Sequence, residues 1–277
     1  MKKTGWFGFV LLIVILLTIL TQVGGLVFLA SLPLLKQIRY KINSVVVQII
    51  AQIFVALSLY MVCTFGIVPP LARLGGRVPL PIHHSALKPR NIVFCLLNRH
   101  YVTPTLKATA IGVAQQLQQQ YKGTVLVYLD AGFPFFDGFP LVPHLSHNDG
   151  KKLDLAFFYR SQITQQASNT TPSFMGYGIC EKPQANEENY AAQCANKGYW
   201  QYNWVEQITP QASKLLFTVD VDRTKAMVQA FAQQPNIGKI FLEPHLKKRW
   251  HLDAYNNIRL HGCQAVRHDD HLHVQLK

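Results

Sequence analysis

The 277-residue chain has little acidic charge, with 14 Asp and Glu against 27 Lys and Arg, and its formal net charge is +13. It has no Gly-rich phosphate loop and no Gly-x-Ser-x-Gly elbow, which excludes nucleotide-driven enzymes and serine hydrolases of those classes. The sequence has no internal repeat. Its basic residues are scattered and form no recognisable nucleic-acid-binding motif. The charge therefore favours anionic lipids or wall polymers as partners over nucleic acid, or simply forms a solvated basic surface.

Charged residues are also absent from two long stretches, 4–35 and 42–72. Each exceeds the roughly 20 apolar residues that cross a bilayer. We therefore predict two transmembrane helices, at 6–30 and 43–66, in a membrane anchor at 1–70. The first stretch is much longer than the apolar region of a cleaved signal peptide.

A Pro/Gly-rich passage follows the anchor and predicts a linker at 71–90. The remainder, 91–277, is large enough for a single core. We expect an α+β domain with a central antiparallel sheet. The expected strands are Asn91–Leu97, Thr124–Leu129, Lys152–Tyr159 and Lys239–Leu242, and the expected helices are Leu106–Tyr121, Asp220–Gln233 and Pro244–Trp250.

Two histidines near the C-terminus have a spacing that suits a metal site. In a strand, His271 and His273 share one face, while Leu272 points to the other. Upstream, a polar cluster contains His147 and Asp154. A catalytic zinc takes three ligands from imidazole and carboxylate and leaves a fourth position for water. His147, Asp154 and one histidine of the C-terminal pair supply such a set, whereas the alternative is a polar loop followed by an ordinary terminal strand.

These residues resemble a known group of zinc proteins. The group joins lysostaphin-type endopeptidases, D-Ala-D-Ala metallopeptidases and the hedgehog signalling domain. The resemblance covers roughly residues 120–277, and two short blocks look most like the penicillin-insensitive murein endopeptidase family. The matching motifs are Ser146-His147-x-x-Gly150-x-x-x-Asp154, His271-x-His273, Ile240–Lys248 and His268–Val274.

The resemblance implies a hedgehog/DD-peptidase-like domain that binds Zn²⁺ through His147, Asp154 and His273. It also implies that His271 and His268 handle protons or stabilise an oxyanion. The expected function is a zinc peptidase that hydrolyses amide bonds in peptidoglycan stem peptides or cross-links. Two alternatives remain: a non-hydrolytic zinc-containing module that binds wall or peptide, and an assembly domain whose histidines are incidental.

One block departs from this group. Its dipeptidases carry a catalytic glutamate followed by an aromatic pair and a histidine, and Glu243-Pro244-His245 is the nearest approach here. This mismatch argues against the dipeptidase branch. We favour a role for Glu243 as the cap of a helix that begins at Pro244.

Membrane topology follows from the basic residues and from the expected substrate. Lys36, Arg39 and Lys41 in the connector favour a cytoplasmic loop. Lys2 and Lys3 would then lie outside, and Arg73 and Arg77 directly follow the second span, so the counts nearly balance. We place the catalytic domain on the periplasmic face of a bacterial inner membrane, because a wall enzyme meets its substrate there.

The polar segment 161–204 is too long for a structureless loop and predicts a lid or a substrate-binding insertion. Cys180 and Cys194 bracket part of it, so a disulfide between them and free buried thiols are both open. Its aromatic residues stack on substrate or, as we favour, pack under their own loop. These aromatic residues are Tyr199, Trp200, Tyr202 and Trp204.

Overall fold

A computed structural model describes residues 3–277. Four helices come first: α1 (Lys3–Thr21), α2 (Gly24–Lys41), α3 (Val45–Val62) and α4 (Val68–Leu74). A π-helical turn joins α3 to α4, so that Val45–Leu74 is one helical run. Among the described residues, this run alone is long and apolar enough to cross a membrane, and a shorter apolar helix spans Gly5–Thr21. Within residues 3–277, the structure therefore has one helix of this kind, and it does not show the two transmembrane helices predicted at 6–30 and 43–66.

The predicted span 6–30 is broken, because the chain turns at Gln22, whose φ is 66°. Gly25 follows the turn, and a Cβ there would lie 2.1 Å from the Thr18 hydroxyl. The missing side chain thus lets α1 and α2 pack closely as a helical hairpin. Because α1 and the first part of α2 are both apolar, hydropathy alone does not detect the turn between them.

A mixed α+β domain follows these helices. Its strands are β1 (Val78–Pro79), β2 (Leu87–Pro89), β3 (Tyr101–Val102), β4 (Leu126–Tyr128), β5 (Lys152–Ala156), β6 (Tyr159–Ser161), β7 (Ala167–Ser168), β8 (Phe217–Val219), β9 (Ile237–Phe241), β10 (Ile258–Arg259) and β11 (His271–Leu276). Its helices are α5 (Ile92–Leu96), α6 (Pro104–Gln120), α7 (Tyr190–Asn196), α8 (Trp204–Ile208), α9 (Val221–Ala232) and α10 (Pro244–Arg249), with 3₁₀ turns at Trp200–Tyr202 and Ala212–Leu216.

Six strands form the main sheet in the order β10-β9-β11-β5-β4-β2. The central pairings β9–β11, β11–β5 and β5–β4 are antiparallel, whereas β10–β9 and β2–β4 at the edges are parallel. The predicted α+β class and its antiparallel centre are confirmed. Apolar side chains of α6 and α9 share one buried core with the sheet, including Leu117, Phe231, Leu155 and Leu272.

The helices predicted at 106–121, 220–233 and 244–250 are present as α6, α9 and α10. The strand predicted at Asn91–Leu97 is wrong, because this segment contains the short helix α5. Asn91 caps that helix, since its side-chain oxygen accepts a hydrogen bond of 3.0 Å from the Val93 amide.

The segment 71–90, for which we predicted a linker, contributes to the fold. Pro69 and Pro70 lie in the first turn of α4, directly after the π-helical turn, and precede this segment. Downstream, β1 pairs with β3 and β2 joins the main sheet.

The domain packs directly on the helices. The Tyr60 hydroxyl donates a 2.5 Å hydrogen bond to the Leu96 carbonyl. At the turn between α1 and α2, Gln22 Oε1 accepts a 2.8 Å hydrogen bond from the Phe135 amide. Val23, Phe135 and Tyr60 also belong to one apolar cluster.

Candidate metal centre

Two neighbouring strands place three of the predicted site residues together. Strands β5 and β11 are antiparallel, and His273 is directly opposite Asp154. Because side chains alternate along a strand, Leu155 and Leu272 enter the core while Asp154, His271 and His273 share the other face. The alternation predicted from sequence therefore places these three residues on one face of the sheet.

The fourth residue, His147, comes from the segment 131–150, hereafter the ligand loop. The Ala131 carbonyl, which can only accept, receives a 2.6 Å hydrogen bond from His147 Nδ1. This bond places the proton of the neutral ring on Nδ1 and leaves a lone pair on Nε2. Gly150 ends the loop with φ of 69°, and a Cβ there would lie 2.9 Å from Arg77 Nε.

The three predicted ligands converge within one small triangle. His147 Nε2 is 3.0 Å from His273 Nδ1 and 3.2 Å from Asp154 Oδ1, and His273 Nδ1 is 2.8 Å from the same oxygen. Ligands about 2.0–2.1 Å from a tetrahedral zinc are roughly 3.3 Å apart. All three residues are buried. Two imidazoles and a carboxylate at this spacing fit a zinc ion, and the metal's identity is a matter for experiment.

The protonation of the triangle favours a cation. Burial opposes ionisation of Asp154, but the neighbouring His147 and His271 hold the pKa of its carboxyl well below its ordinary value. Burial lowers the pKa of His273 to about 3, against the attraction of Asp154. Near neutral pH the triangle thus contains an ionised carboxylate and a neutral His273, which are the forms that bind metal.

A second layer of polar residues orients Asp154. The Tyr177 hydroxyl donates a 2.9 Å hydrogen bond to Asp154 Oδ2 and accepts one of 3.1 Å from the Asp130 amide. Burial, then the charges of Asp130 and Asp154, raise the pKa of Tyr177 well above its ordinary value, so its proton stays in place. His144 Nδ1 lies 2.9 Å from Asp130 Oδ2, and Arg99 holds Asp130 through two hydrogen bonds.

Sequence reasoning did not identify Tyr177, His144, Asp130 or Arg99. His144 is three residues before His147, and that spacing within a polar segment was a usable signal. Tyr177 has no such signal, because a long insertion brings it to Asp154.

His271 is suited to donate a proton beside the triangle. Its Nδ1 pairs with the Asp270 carboxylate, and its Nε2 is buried without a partner among the described residues. Burial lowers the pKa of His271, but Asp270 and Asp154 outweigh it and raise the pKa to about 9. Nε2 lies 3.8 Å from Asp154 Oδ2, so an unpaired N–H is held next to the ligands.

His268 has the opposite character. Burial, then the neighbouring His271 and His273, lower its pKa well below the ordinary value. Its ring centroid lies 4.9 Å from that of His271. His268 is therefore neutral, and of the two predicted proton-handling residues only His271 is protonated near neutral pH.

Glu243 does not cap α10 with its side chain, although the helix begins after it. Its Oε1 accepts a 2.6 Å hydrogen bond from the Tyr202 hydroxyl and a 3.1 Å hydrogen bond from the His268 amide. Burial, then the charge of Asp269, raise its pKa to about 7. The favoured capping role is thus wrong in its detail, since this carboxyl supports the segment before β11.

The triangle opens into a cavity of about 660 Å³. Trp200 and Trp204 form part of its wall, as do Val142 and Leu145 of the ligand loop. A second cavity, of about 440 Å³, adjoins it, and the two share Pro143, His144 and Trp204.

The aromatic residues of the insertion divide between two roles. Tyr202 is buried, as we favoured, whereas Trp200 is 72% exposed at the cavity. Residues of the predicted insertion thus form part of the cavity wall.

The disulfide joins Cys194 to Cys263, 69 residues apart, and Cys180 is free and buried. The alternative of a Cys180–Cys194 bond is therefore wrong. The Cys194–Cys263 disulfide links α7 to the segment before β11. Gln201 Nε2 also donates a 3.5 Å hydrogen bond to the Cys263 carbonyl.

Comparison with known proteins gives no further assignment: no family model matches the chain, and no curated protein matches it.

Proposed function

We propose that this chain is a membrane-anchored zinc peptidase that hydrolyses amide bonds of peptidoglycan stem peptides or cross-links. The triangle of His147 Nε2, Asp154 Oδ1 and His273 Nδ1 carries the proposal, because its edges of 2.8–3.2 Å suit one tetrahedral ion. Zinc in that position would supply a water acidic enough to act near neutral pH and would polarise the scissile carbonyl.

Residues of the chain would handle the proton and orient the metal ligands. His271 lines the cavity beside Asp154, and its Nε2, when protonated, would stabilise the oxyanion that develops on the carbonyl or return a proton to the leaving amine. Tyr177 and the Ala131 carbonyl fix the orientations of Asp154 and His147.

The two adjoining cavities support a substrate with residues on both sides of the cleaved bond. Trp200 and Trp204 offer flat surfaces for peptide or sugar rings beside the triangle. The apolar wall that Phe174 and Ile208 give the neighbouring cavity suits a short side chain of a stem peptide. A cross-linked peptide fills both cavities, whereas a single terminal residue fills one.

The anchor helices support the periplasmic placement. Gly25 packs against Thr18 and Val14, so α2 folds back along α1. Gln48 and Gln52 bond the carbonyls of Arg39 and Leu35, so α3 folds back along α2 and runs in the direction of α1. If all three helices lie in the bilayer, the start of α1 and the basic end of α2 lie on one side and the domain lies on the other. Lys3 and the basic end of α2 are then both cytoplasmic, which removes the conflict between them in the two-span count, while Arg73 and Arg77 stay on the side of the domain.

The experiment uses full-length protein in detergent or vesicles, because the domain packs on the helices. Bound metal is measured by mass spectrometry of the purified protein, and peptidoglycan digestion products are identified in parallel. We expect about one zinc per chain and cleaved cross-links, both lost in His147→Ala. His83→Ala, which removes an exposed histidine away from the cavity, is the matched control.

A folded, zinc-loaded protein that releases no product would support the binding module instead. Absence of metal in the wild-type protein at neutral pH would favour the assembly domain.

A further inference from the structure

The ligand loop connects the metal triangle to the anchor. The Phe135 amide bonds Gln22 in the turn between α1 and α2. Further along, the Gly138 amide donates a 2.8 Å hydrogen bond to the Asn148 carbonyl, next to His147. One loop therefore touches the anchor at one end and supplies a metal ligand at the other.

A second set of contacts joins the same loop to the segment after α4. Arg77, which follows α4, is buried, and it donates a 2.7 Å hydrogen bond to the Phe133 carbonyl and pairs with Asp137. Asn98 donates a 3.3 Å hydrogen bond to the Thr21 carbonyl. The base of the domain thus lies level with the turn between α1 and α2.

Helix lengths place that level relative to a bilayer. The 19 residues of α1 span about 28 Å at about 1.5 Å per residue, and the α3 segment from Val45 to Tyr60 spans about 22 Å. The hydrocarbon core of a bilayer is roughly 30 Å thick. If the basic end of α2 lies at the cytoplasmic surface, the base of the domain lies about 22–28 Å away from it, at or just inside the opposite edge of the hydrocarbon.

The ligand loop exposes apolar side chains, and one of them lies beside the loop's contact with the anchor. Phe136, beside the anchored Phe135, is 72% exposed, and Val142 and Leu145 are more than half exposed. Val142 and Leu145 also line the metal cavity. The helices below present a similar unpaired apolar surface, including Phe54 and Leu57. Phe136 therefore lies beside the apolar surface of the helices, and Val142 and Leu145 expose apolar side chains further along the same loop.

We propose that the ligand loop contacts the bilayer through Phe136, Val142 and Leu145, so that the metal cavity opens at the membrane surface. The substrate is then an amide in a membrane-attached molecule, such as a peptide linked to lipid, reached without leaving the headgroup region. The inference rests on the proposed membrane anchoring and names the substrate class of the proposed site.

Lipid contact is tested without activity. A polarity-sensitive nitrobenzoxadiazole label is attached to single cysteines at Phe136, Val142 or Leu145 in full-length Cys63→Ala protein, since Cys95 and Cys180 are buried. The protein is placed in phosphatidylcholine/phosphatidylglycerol vesicles with or without nitroxide-labelled lipid. Ile163→Cys is the matched control, because Ile163 is 79% exposed on the turn between β6 and β7. Phe54→Cys on α3 reports the anchor itself.

All three loop positions should lose about half of their fluorescence to the nitroxide lipid, as expected for side chains in the headgroup boundary, while position 163 loses little. Quenching at 54 without quenching at the loop would leave the anchor intact and overturn the proposed lipid contact. Quenching at 136 but not at 142 and 145 would overturn the placement of the cavity mouth. No quenching at 54 would refute the anchoring on which the inference rests.

The substrate class has its own readout. One peptide amide is supplied either free in solution or acylated and held in the vesicle. Phe136→Ser should lower kcat/KM for the acylated peptide about tenfold and leave the free peptide unchanged, because Phe136 does not line the cavity. Ile163→Ser should change neither. Equal use of both peptides by the wild type would overturn the membrane-attached substrate. If the protein cleaves neither peptide, the proposed peptidase activity is refuted, whereas the lipid contact is still decided by the quenching measurement.

Discussion

The Tyr177 hydroxyl donates a 2.9 Å hydrogen bond to Asp154 Oδ2, while Asp154 Oδ1 faces His147 and His273. One carboxylate therefore presents one oxygen to the metal triangle and the other to a phenol. Burial and the nearby carboxylates keep that phenol protonated. Tyr177 is thus the residue that orients Asp154 from behind.

Tyr177→Phe should weaken zinc binding about 10–100-fold, the usual cost of losing a hydrogen bond to a metal ligand. The aromatic ring remains, so packing against Phe94 and Leu129 is kept. Competition with a chromophoric chelator measures the affinity, and Tyr199→Phe serves as the control. An unchanged affinity in a folded Tyr177→Phe protein would remove Tyr177 from the site.

His271→Gln should lower kcat about 100–1000-fold with bound zinc unchanged, because a cationic donor aimed at the developing oxyanion is lost. Zinc content and turnover are measured on the same sample. His83→Ala should match the wild type in both measurements. Loss of zinc together with activity would instead make His271 a ligand.

Glu243 gives a pH-dependent stability. Its pKa rises from 4.5 unfolded to about 7 folded, so between these values the folded state binds the proton more tightly and stability falls as pH rises. The loss of folding stability caused by ionising Glu243 is absent below about pH 4.5 and complete above about pH 7, where it is on the order of 3 kcal/mol.

Glu243→Gln keeps an oxygen for Tyr202 and the His268 amide but removes the buried charge. The variant should therefore unfold at a temperature similar to that of the wild type at pH 5 and several degrees higher at pH 8. The measurement is the difference in thermal midpoint between the two detergent-solubilised proteins at each pH, since other groups titrate equally in both. A difference independent of pH would contradict the raised pKa.

The cysteines give a count. Denatured, unreduced protein should release three thiols to Ellman's reagent and five after reduction, since Cys194 and Cys263 are bonded. Replacing both with Ser should lower the free energy of unfolding by about 2–5 kcal/mol. Cys180→Ser should leave the bond intact and reduce the unreduced count by one.

These cases show what the sequence could predict. Alternation along a strand places Asp154, His271 and His273 on one face because period two is a local property. Distant contacts have no local signal, so neither Tyr177 beside Asp154 nor the 69-residue separation of the disulfide was predicted. The turn at Gln22 was missed for a different reason, since both arms of the hairpin are apolar and the hydropathy pattern continues through it.

The direction of the anchor decides whether the domain can meet the cell wall. If α1, α2 and α3 all cross the bilayer, Lys41 is cytoplasmic and Ile163 is outside. In the Cys63→Ala background, a membrane-impermeant maleimide should label Ile163→Cys in intact spheroplasts and Lys41→Cys only after permeabilisation. The opposite pattern would place the metal cavity in the cytoplasm, where mature peptidoglycan is absent. The metal triangle would stand in that case, but its substrate would have to be another amide.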